Sequence, residues 1–250
     1  MAEVKKKLKV FWTWAWECIK RSFISVIMYI AVSVVLFMVT FQDQKLEDGM
    51  TIGRFWWCFG LILAALAYNG FTVWVEGGSG YEMLVAGNMK RISSPTGELK
   101  MTSHKEHKEY RIWKGFAIGA VMGVLTLVIG IIWGANQAAI NQVLQTENDA
   151  VVDAGLRVFV FVCMIVTGWS VLPFMFMNVG GVYISYYLIC LLGLLPVAVS
   201  GIFYIVGAYA RRKKTVARQE AADREAAEQA AKPKKINYGG LPGTKPRKRK

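Results

Sequence analysis

Two histidines in a charged loop are the first residues of this chain that could do chemistry. His104 and His107 stand three apart in SHKEHKEY, residues 103–110, and on a helix this spacing puts both imidazoles on one face beside glutamates. A structural zinc site needs four ligands, and the spacing differs from the H-E-x-x-H pattern of metalloproteases. Neighbouring lysines also oppose cation binding. We therefore predict a solvated loop with no metal and no cofactor.

The cysteines and the glycines of the loops offer no second reactive site. Cys18, Cys58, Cys163 and Cys190 are dispersed, form no C-x-x-C pair and lie in or beside apolar segments, so a disulfide framework is not expected. The loop at 76–114 opens with a flexible Gly-Gly-Ser-Gly hinge but lacks the phosphate-cradling G-x-x-x-x-G-K-[ST] pattern. No catalytic Ser-His-Asp or Cys-His arrangement can be assembled. We predict that the chain is not an enzyme.

Uncharged polar groups inside the apolar segments are the remaining candidates. Asn69, Thr167, Trp169 and Ser170 could converge on a polar cavity. We favour the simpler interpretation, in which such groups bond between helices or to a carbonyl one turn earlier. The apolar segments contain no Asp, Glu, Lys, Arg or His, so a proton relay or an ion-coupled pump is not expected.

The elements that would position these groups are apolar segments of membrane-spanning length. The chain has 250 residues, of which 54% are hydrophobic. A helix needs about 20 apolar residues to cross a bilayer. The segments that meet this length are 22–41, 55–74, 115–133, 158–176 and 182–208. We predict an all-α integral membrane protein, a compact bundle of four to five transmembrane helices, and not a secreted disulfide scaffold, a disordered chain or a soluble enzyme.

The distribution of Lys and Arg predicts the topology. The segment before residue 22 has six, the loop at 76–114 has seven and the tail at 211–250 has 14, whereas the connectors at 42–54 and 134–157 have three together. Positively charged connectors stay in the cytoplasm. We therefore expect a multi-pass protein of the cell membrane, and a bacterial plasma membrane is the simplest setting for this charge pattern. The N-terminus, the middle loop and the C-terminus are expected in the cytoplasm.

Two cytoplasmic ends require an even number of crossings. Segment 158–176 carries Gly168 and Pro173, and it is our candidate for a re-entrant element that enters the membrane and returns. Five plain crossings remain the alternative, and they would put the two ends of the chain on opposite sides.

Residues 1–21 form a predicted amphipathic helix that is too charged to cross the membrane. Lysines and tryptophans suit the headgroup layer, so we expect this helix to lie flat in the interface and to contact anionic lipids. We favour the simpler interpretation, in which it is only the basic flank that positions the first span. The predicted interface residues are Lys6, Lys9, Trp12, Trp14, Trp16 and Lys20.

Glycine spacing in the third segment predicts a packing face. Five glycines recur at intervals of four and seven residues, which keeps them within about 100° of one another around the helix. They are Gly115, Gly119, Gly123, Gly130 and Gly134. In lipid such a smooth face lets another backbone approach closely. The predicted partner stripe in the last segment is Gly193, Ser200, Gly201 and Ala208.

The tail at 211–250 combines a charged helical extension, which Pro233 ends, with a disordered basic terminus. Its 14 basic and four acidic residues give +10 of the net charge of +13. Anionic lipid, RNA, the ribosome or an acidic protein would all suit this charge. We expect a non-catalytic scaffold or accessory subunit, with a membrane protein partner. The alternative is a small transporter or channel component that works through uncharged polar groups.

Overall fold

A computed structural model describes residues 2–41, 52–92, 106–145, 154–175, 178–179, 182–183 and 185–231. Its helices are α1 (Ala2–Phe41), α2 (Ile52–Ile92), α3 (Ile112–Ala135), α4 (Gln137–Gln145), α5 (Ala154–Met175), α6 (Ile189–Leu192) and α7 (Leu194–Ala231). Short 3-10 turns cover Glu106–Lys108 and Tyr186–Leu188. The strands β1 (Asn178–Val179) and β2 (Val182–Tyr183) pair antiparallel, with Asn178 opposite Tyr183.

Five of the described helical segments are long and apolar enough to cross a membrane: Leu8–Val39, Phe55–Asn88, Ile112–Ala135, Ala154–Pro173 and Tyr186–Ala231. The prediction of an all-α chain with apolar helices of spanning length is therefore confirmed. Large hydrophobic side chains cover the outside of these helices, as Val124 on α3 and Phe23 on α1 illustrate, whereas Ser33, Asn69 and Thr126 are buried inside. An apolar exterior around buried polar groups is what lipid requires.

The N-terminal amphipathic segment and the first span form one uninterrupted helix, α1. The predicted boundary at residue 21, between a flat interfacial helix and a separate span, is therefore not a helix boundary. No Gly or Pro breaks the run, and the Arg21 guanidinium pairs with Glu17 one turn earlier, which supports helical structure up to the predicted junction. The described helix agrees with the simpler interpretation, in which this segment is the flank of the first span.

The second helix also runs past its predicted end. The Gly-Gly-Ser-Gly sequence at residues 77–80, which we expected to be a flexible hinge, is helical and lies within α2. Gly77 and Gly207 explain the difference, because a Cβ on either would strike the backbone of the other helix, at Tyr204 and Trp74 respectively. The glycines therefore serve close helix packing rather than chain flexibility.

The last span starts later than predicted. Val182 and Tyr183 belong to a strand pair, and α7 begins only at Leu194, after a 3-10 turn and the short helix α6. Pro196 stands in the first turn of α7, where its missing N–H removes no intrahelical hydrogen bond.

Contact clustering divides the chain into unit 1, Met1–Arg211, and unit 2, Arg212–Lys250. Unit 1 holds two cores. The larger joins α1, α2, α3 and α5 around Leu36, Trp133 and Trp169, and the smaller joins α1, α2, α3 and α7 around Cys18 and Tyr204. We call the end of unit 1 with the smaller core the charged end.

Contacts fix the direction of each long helix in unit 1. Helix α3 runs from the charged end at Lys114 to the larger core at Trp133, and α1 runs in the same direction. Helix α7 runs the opposite way, because Tyr187 meets Gly134 whereas Tyr204 meets Gly115. Helix α2 runs parallel to α7, with Asn69 beside Ser200 and Glu82 beside Arg211.

Helix α5 lies antiparallel to α1 and is bent. Phe161 packs against Phe37, and about two turns further on Trp169 packs against Tyr29. Thr167 leaves the helical region with φ −124° and ψ 16°, next to Gly168 and six residues before Pro173. The 20-residue span of α5 is buried to a larger extent than that of any other candidate span.

Unit 2 in its described part is the C-terminal portion of α7. Its residues from Val216 to Ala231 are exposed, as expected for a solvated charged helix. The predicted disordered terminus at 234–250 lies outside the described residues.

Candidate functional site

The charged end of unit 1 brings together ionisable side chains from three helices. The Nε of Arg21 on α1 lies 3.1 Å from Glu17 Oε1, and its Nη1 lies 3.9 Å from Glu76 Oε2 on α2. All three side chains are largely buried. Arg21 is therefore hydrogen-bonded to Glu17 within α1 and makes a longer electrostatic contact with Glu76 of α2.

Lys114 at the start of α3 is the most deeply buried cation of the described residues, with 1% of its surface exposed. Its ammonium donates to the carbonyl oxygens of His107, at 2.6 Å, and Glu109. The same ammonium lies 4.5 Å above the ring of Trp14 on α1. Lys114 thus fixes the turn before α3 against α1 through carbonyl and cation–π contacts.

Aromatic rings complete the charged end. Tyr110 stacks on Tyr204 of α7 with ring centroids 5.3 Å apart and planes 11° from parallel. The Tyr110 N–H donates to the carbonyl of Gly80, 2.9 Å away, which ties the connector before α3 to α2. Burial raises the pKa of the Tyr110 phenol above its usual value, so the ring stays neutral. Trp14 contacts Trp113 with ring centroids 5.5 Å apart.

Sequence reasoning missed this cluster. Glu76 lies two residues after the second apolar segment and Lys114 directly before the third, so both counted as connector residues. Their position at the segment edges was the available signal. Their partners on α1 are Arg21 for Glu76 and Trp14 for Lys114, and these are too distant in sequence for any local pattern to indicate.

The predicted polar-cavity residues lie on two helices, α2 and α5, and their side chains bond to different partners. Asn69 on α2 donates through Nδ2 to Ser200 Oγ on α7, at 2.9 Å. Thr167 donates to the carbonyl of Cys163 and Ser170 to that of Thr167, both within α5. These hydrogen bonds join α2 to α7 or stay within α5, as in the simpler interpretation of the sequence.

Trp169 is fully buried at the bend of α5. Its backbone N–H donates to Ser33 Oγ on α1 at 2.9 Å, and that hydroxyl in turn donates to the carbonyl of Tyr29. A Cβ on Gly168 would stand 3.2 Å from the Ser33 Cβ, so α1 and α5 approach closely here.

The predicted glycine face of α3 lies against the segment that contains α6 and α7. A Cβ on Gly115 would stand 2.5 Å from the Cβ of Tyr204, and one on Gly123 2.7 Å from the carbonyl oxygen of Gly193. A Cβ on Gly119 would strike the backbone at Pro196. The other two glycines meet Cys190 (Gly130) and Tyr187 (Gly134).

The predicted partner stripe takes part unequally. The backbone carbonyls of Gly193 and Ser200 lie against α3, and a Cβ on Gly201 would enter the ring of Phe116 on α3. Ala208 is buried, next to the glycine contact between α7 and α2. Val197, a larger residue that stands within the stripe, packs between Gly119 and Gly123.

The predicted interface residues occupy different faces of α1. Lys9, Trp12, Trp16 and Lys20 are exposed, with the Lys20 ammonium 5.5 Å from the Trp16 ring. Trp14 is half-buried against Trp113 instead. The side chain of Lys6 lies outside the described residues.

Of the histidine pair, only His107 is described, in the turn whose carbonyl binds Lys114. His104 lies outside the described residues. Within the described ranges no three His, Cys, Asp or Glu side chains come together as metal ligands. Three of the cysteines, Cys18, Cys58 and Cys163, are buried free thiols.

Comparison of the chain with protein families, with curated proteins and with solved structures finds no match. Its function is therefore inferred from its own residues and geometry.

Proposed function

We propose that this chain is a multi-pass protein of the plasma membrane that acts as a non-catalytic scaffold or accessory subunit, with both basic ends in the cytoplasm. The observation that carries this proposal is the use of polar groups in unit 1. Ser33, Asn69, Thr126, Thr167 and Ser170 are all buried and hydrogen-bonded within the bundle. Groups used in this way stabilise a fixed arrangement of helices.

The common direction of α5 and α7 supports the proposed topology. Helices α5 and α7 both run toward the charged end, yet Tyr186, just before α7, lies beside Trp133 and Asn141 at the other end. Ten residues, 176–185, must bring the chain back. Fully extended they would reach about 33–36 Å, but the pairing of Asn178 with Tyr183 folds six of them back.

Such a linker cannot recross about 30 Å of hydrocarbon. We therefore infer that α5 enters the membrane, bends at Thr167 and does not cross. The full crossings are then α1, α2, α3 and α7. A bent helix in a membrane needs partners for the backbone groups that the bend frees. The Ser33 hydroxyl supports this arrangement, because it accepts a hydrogen bond from the Trp169 N–H next to the bend.

Charge supports the same orientation. The six Lys and Arg before residue 22, the seven of 76–114 and the 14 of the tail then lie on the cytoplasmic side. The exposed helix of unit 2 and the basic terminus would contact partners there, and an acidic protein, RNA or the ribosome fits their charge. Anionic lipid would compete for the same residues.

One observation favours the alternative, a small transporter or channel component. Transport sites are commonly built at broken helices near the middle of the membrane, and the bend at Thr167 in α5 is such a break. A pathway there would need to open the hydrogen bonds that now join Thr167 and Ser170 to their own helix.

The experiment that separates the two functions has two arms. A photo-crosslinking amino acid at Gln219, exposed on α7, should give one discrete protein adduct in intact cells, whereas Ala64, exposed on α2, should give none. Purified protein in vesicles should pass ions or small solutes no faster than empty vesicles. The alternative would be favoured by two results together. The vesicles would show a flux above that of empty vesicles that Thr167→Val abolishes, and Gln219 would give no protein adduct.

A further inference from the structure

An apolar groove runs along the outside of unit 1 between α1 and α3. Its two adjoining parts have volumes of about 550 and 320 Å³ and share Phe11, Trp14 and Trp113. The small side chains Ala15 on α1 and Ala120 on α3 contribute to its lining. Small residues on both helices leave a depression where larger ones would fill the space between them.

The length of the groove matches one leaflet of a bilayer. Its α3 lining extends from Trp113 to Leu125, which at 1.5 Å per residue is about 18 Å. Half of a hydrocarbon core of about 30 Å is about 15 Å. The lining residues of α3 recur every three to four positions, so the groove follows the helix axis. An acyl chain of the leaflet at the charged end would fit this path.

The end of the groove at the charged end is basic. Arg111 lines it there, and its guanidinium takes part in none of the ion pairs between described side chains, which are Arg21–Glu17, Arg21–Glu76 and Arg211–Glu82. The Lys114 ammonium over the Trp14 ring is bound by carbonyl groups and that ring, none of which carries a formal negative charge. Tryptophan rings such as Trp14 and Trp113 are typical of the headgroup level. A phosphate at Arg111 would complement this positive charge.

We propose that the groove between α1 and α3 is a binding site for one anionic phospholipid, with an acyl chain along Ala117 and Ala120 and the phosphate at Arg111. The proposal rests on the proposed membrane insertion and is independent of the scaffold role. The site joins two features that such a lipid would use, an apolar groove along two helices and an exposed arginine at one end of it.

Native mass spectrometry of the purified full chain in detergent tests the site. Phosphatidylglycerol and phosphatidylcholine with identical acyl chains are the probes. We expect one bound lipid per chain and a preference for phosphatidylglycerol of roughly fivefold, the ratio that one basic residue contributes near a membrane surface. Arg111→Gln should remove this preference, whereas Arg212→Gln, on the exposed part of α7, should keep it.

A second variant tests the acyl-chain path. Ala120→Phe should reduce binding of both lipids at least fivefold, whereas Ala67→Phe, at an exposed position of α2, should bind as the wild type does. Equal binding of the two lipids by the wild type would overturn the proposal, and so would unchanged binding by Ala120→Phe. Because Arg111 is exposed, its substitution tests the site even if Ala120→Phe does not fold.

Alkaline carbonate extraction separates this proposal from the one on which it rests. A chain that is released from membranes would refute membrane insertion. A chain that remains inserted but fails the lipid test would refute the groove alone.

Discussion

The backbone N–H of Trp169 donates to the Oγ of Ser33 across the contact between α5 and α1, at 2.9 Å. The bend at Thr167 disturbs the hydrogen-bond ladder of α5 in this region, and a peptide group without a partner is costly in lipid. Ser33 supplies a partner from a neighbouring helix. The bend therefore depends on α1 as well as on the sequence of α5.

Ser33→Ala should destabilise the protein, because it leaves this buried N–H unpaired. The expected loss in the free energy of unfolding is about 1–3 kcal/mol. Unfolding in mixed detergent micelles, followed by circular dichroism, measures it. Thr126→Val is the control, since its buried hydroxyl bonds only to the carbonyl of Met122 in its own helix. Equal stability of both variants would argue against the role of Ser33.

The Asn69–Ser200 hydrogen bond should couple α2 to α7. In a double-mutant cycle with Asn69→Ala and Ser200→Ala, we expect a coupling energy of about 0.6–1.7 kcal/mol, the range found for hydrogen bonds between membrane helices. Unfolding in micelles again provides the measurement. If the two effects simply add, the bond contributes nothing to helix association.

Gly119→Leu should prevent close packing of α3 on α7. Even a Cβ at this position would strike the backbone at Pro196, which cannot move aside as a side chain can. We expect the free energy of unfolding to fall by more than the ~1–3 kcal/mol of ordinary overpacking. Because a protein destabilised to this extent misfolds, size-exclusion chromatography should show aggregates. Gly60→Leu on α2 is the matched control, because no atom lies within 4 Å of its added Cβ. A Gly119→Leu protein as stable as Gly60→Leu would contradict the described contact.

Lys114→Met should release the turn before α3. The ammonium bonds to the carbonyls of His107 and Glu109, and charge-assisted hydrogen bonds contribute about 1.5–3 kcal/mol each. Amide hydrogen exchange at Tyr110 should therefore accelerate tenfold or more. Lys20→Met, which removes an exposed lysine above Trp16, should leave that rate unchanged. The same rate in both variants would show that Lys114 does not hold the turn.

Local sequence patterns predicted the presence of the helices better than the residues at which they begin and end. The glycine period of α3 indicated a smooth face because it depends only on helix geometry, and the structure places Gly119 and Gly123 against Pro196 and Gly193. Composition alone could not show that Gly77 would continue α2, because the contact that explains it lies on α7, more than 120 residues away. The charged cluster was missed for the same reason: Arg21 meets Glu76 only after α1 and α2 have packed.

The bend of α5 was only partly predictable. Gly168 and Pro173 indicated an irregular element, and the non-helical residue is Thr167, directly before Gly168. Whether such a bend turns the chain back depends on where the next helix starts, which is determined by the contact of Tyr186 with Trp133 and Asn141. That contact joins residues about 50 apart and has no local signature.

The proposed topology predicts which cysteines a membrane-impermeant maleimide reaches in intact cells. In a chain whose native cysteines are replaced by serine, single cysteines are introduced at Lys9, Ala138 and Lys213, all exposed positions. Four crossings with a re-entrant α5 leave Lys9→Cys and Lys213→Cys protected and Ala138→Cys labelled, because an even number of crossings keeps both ends inside. Permeabilised cells should label all three, which controls for reactivity. Labelling of Lys213→Cys in intact cells, with Lys9→Cys protected, would mean that α5 crosses the membrane and that the ten residues 176–185 do not return the chain.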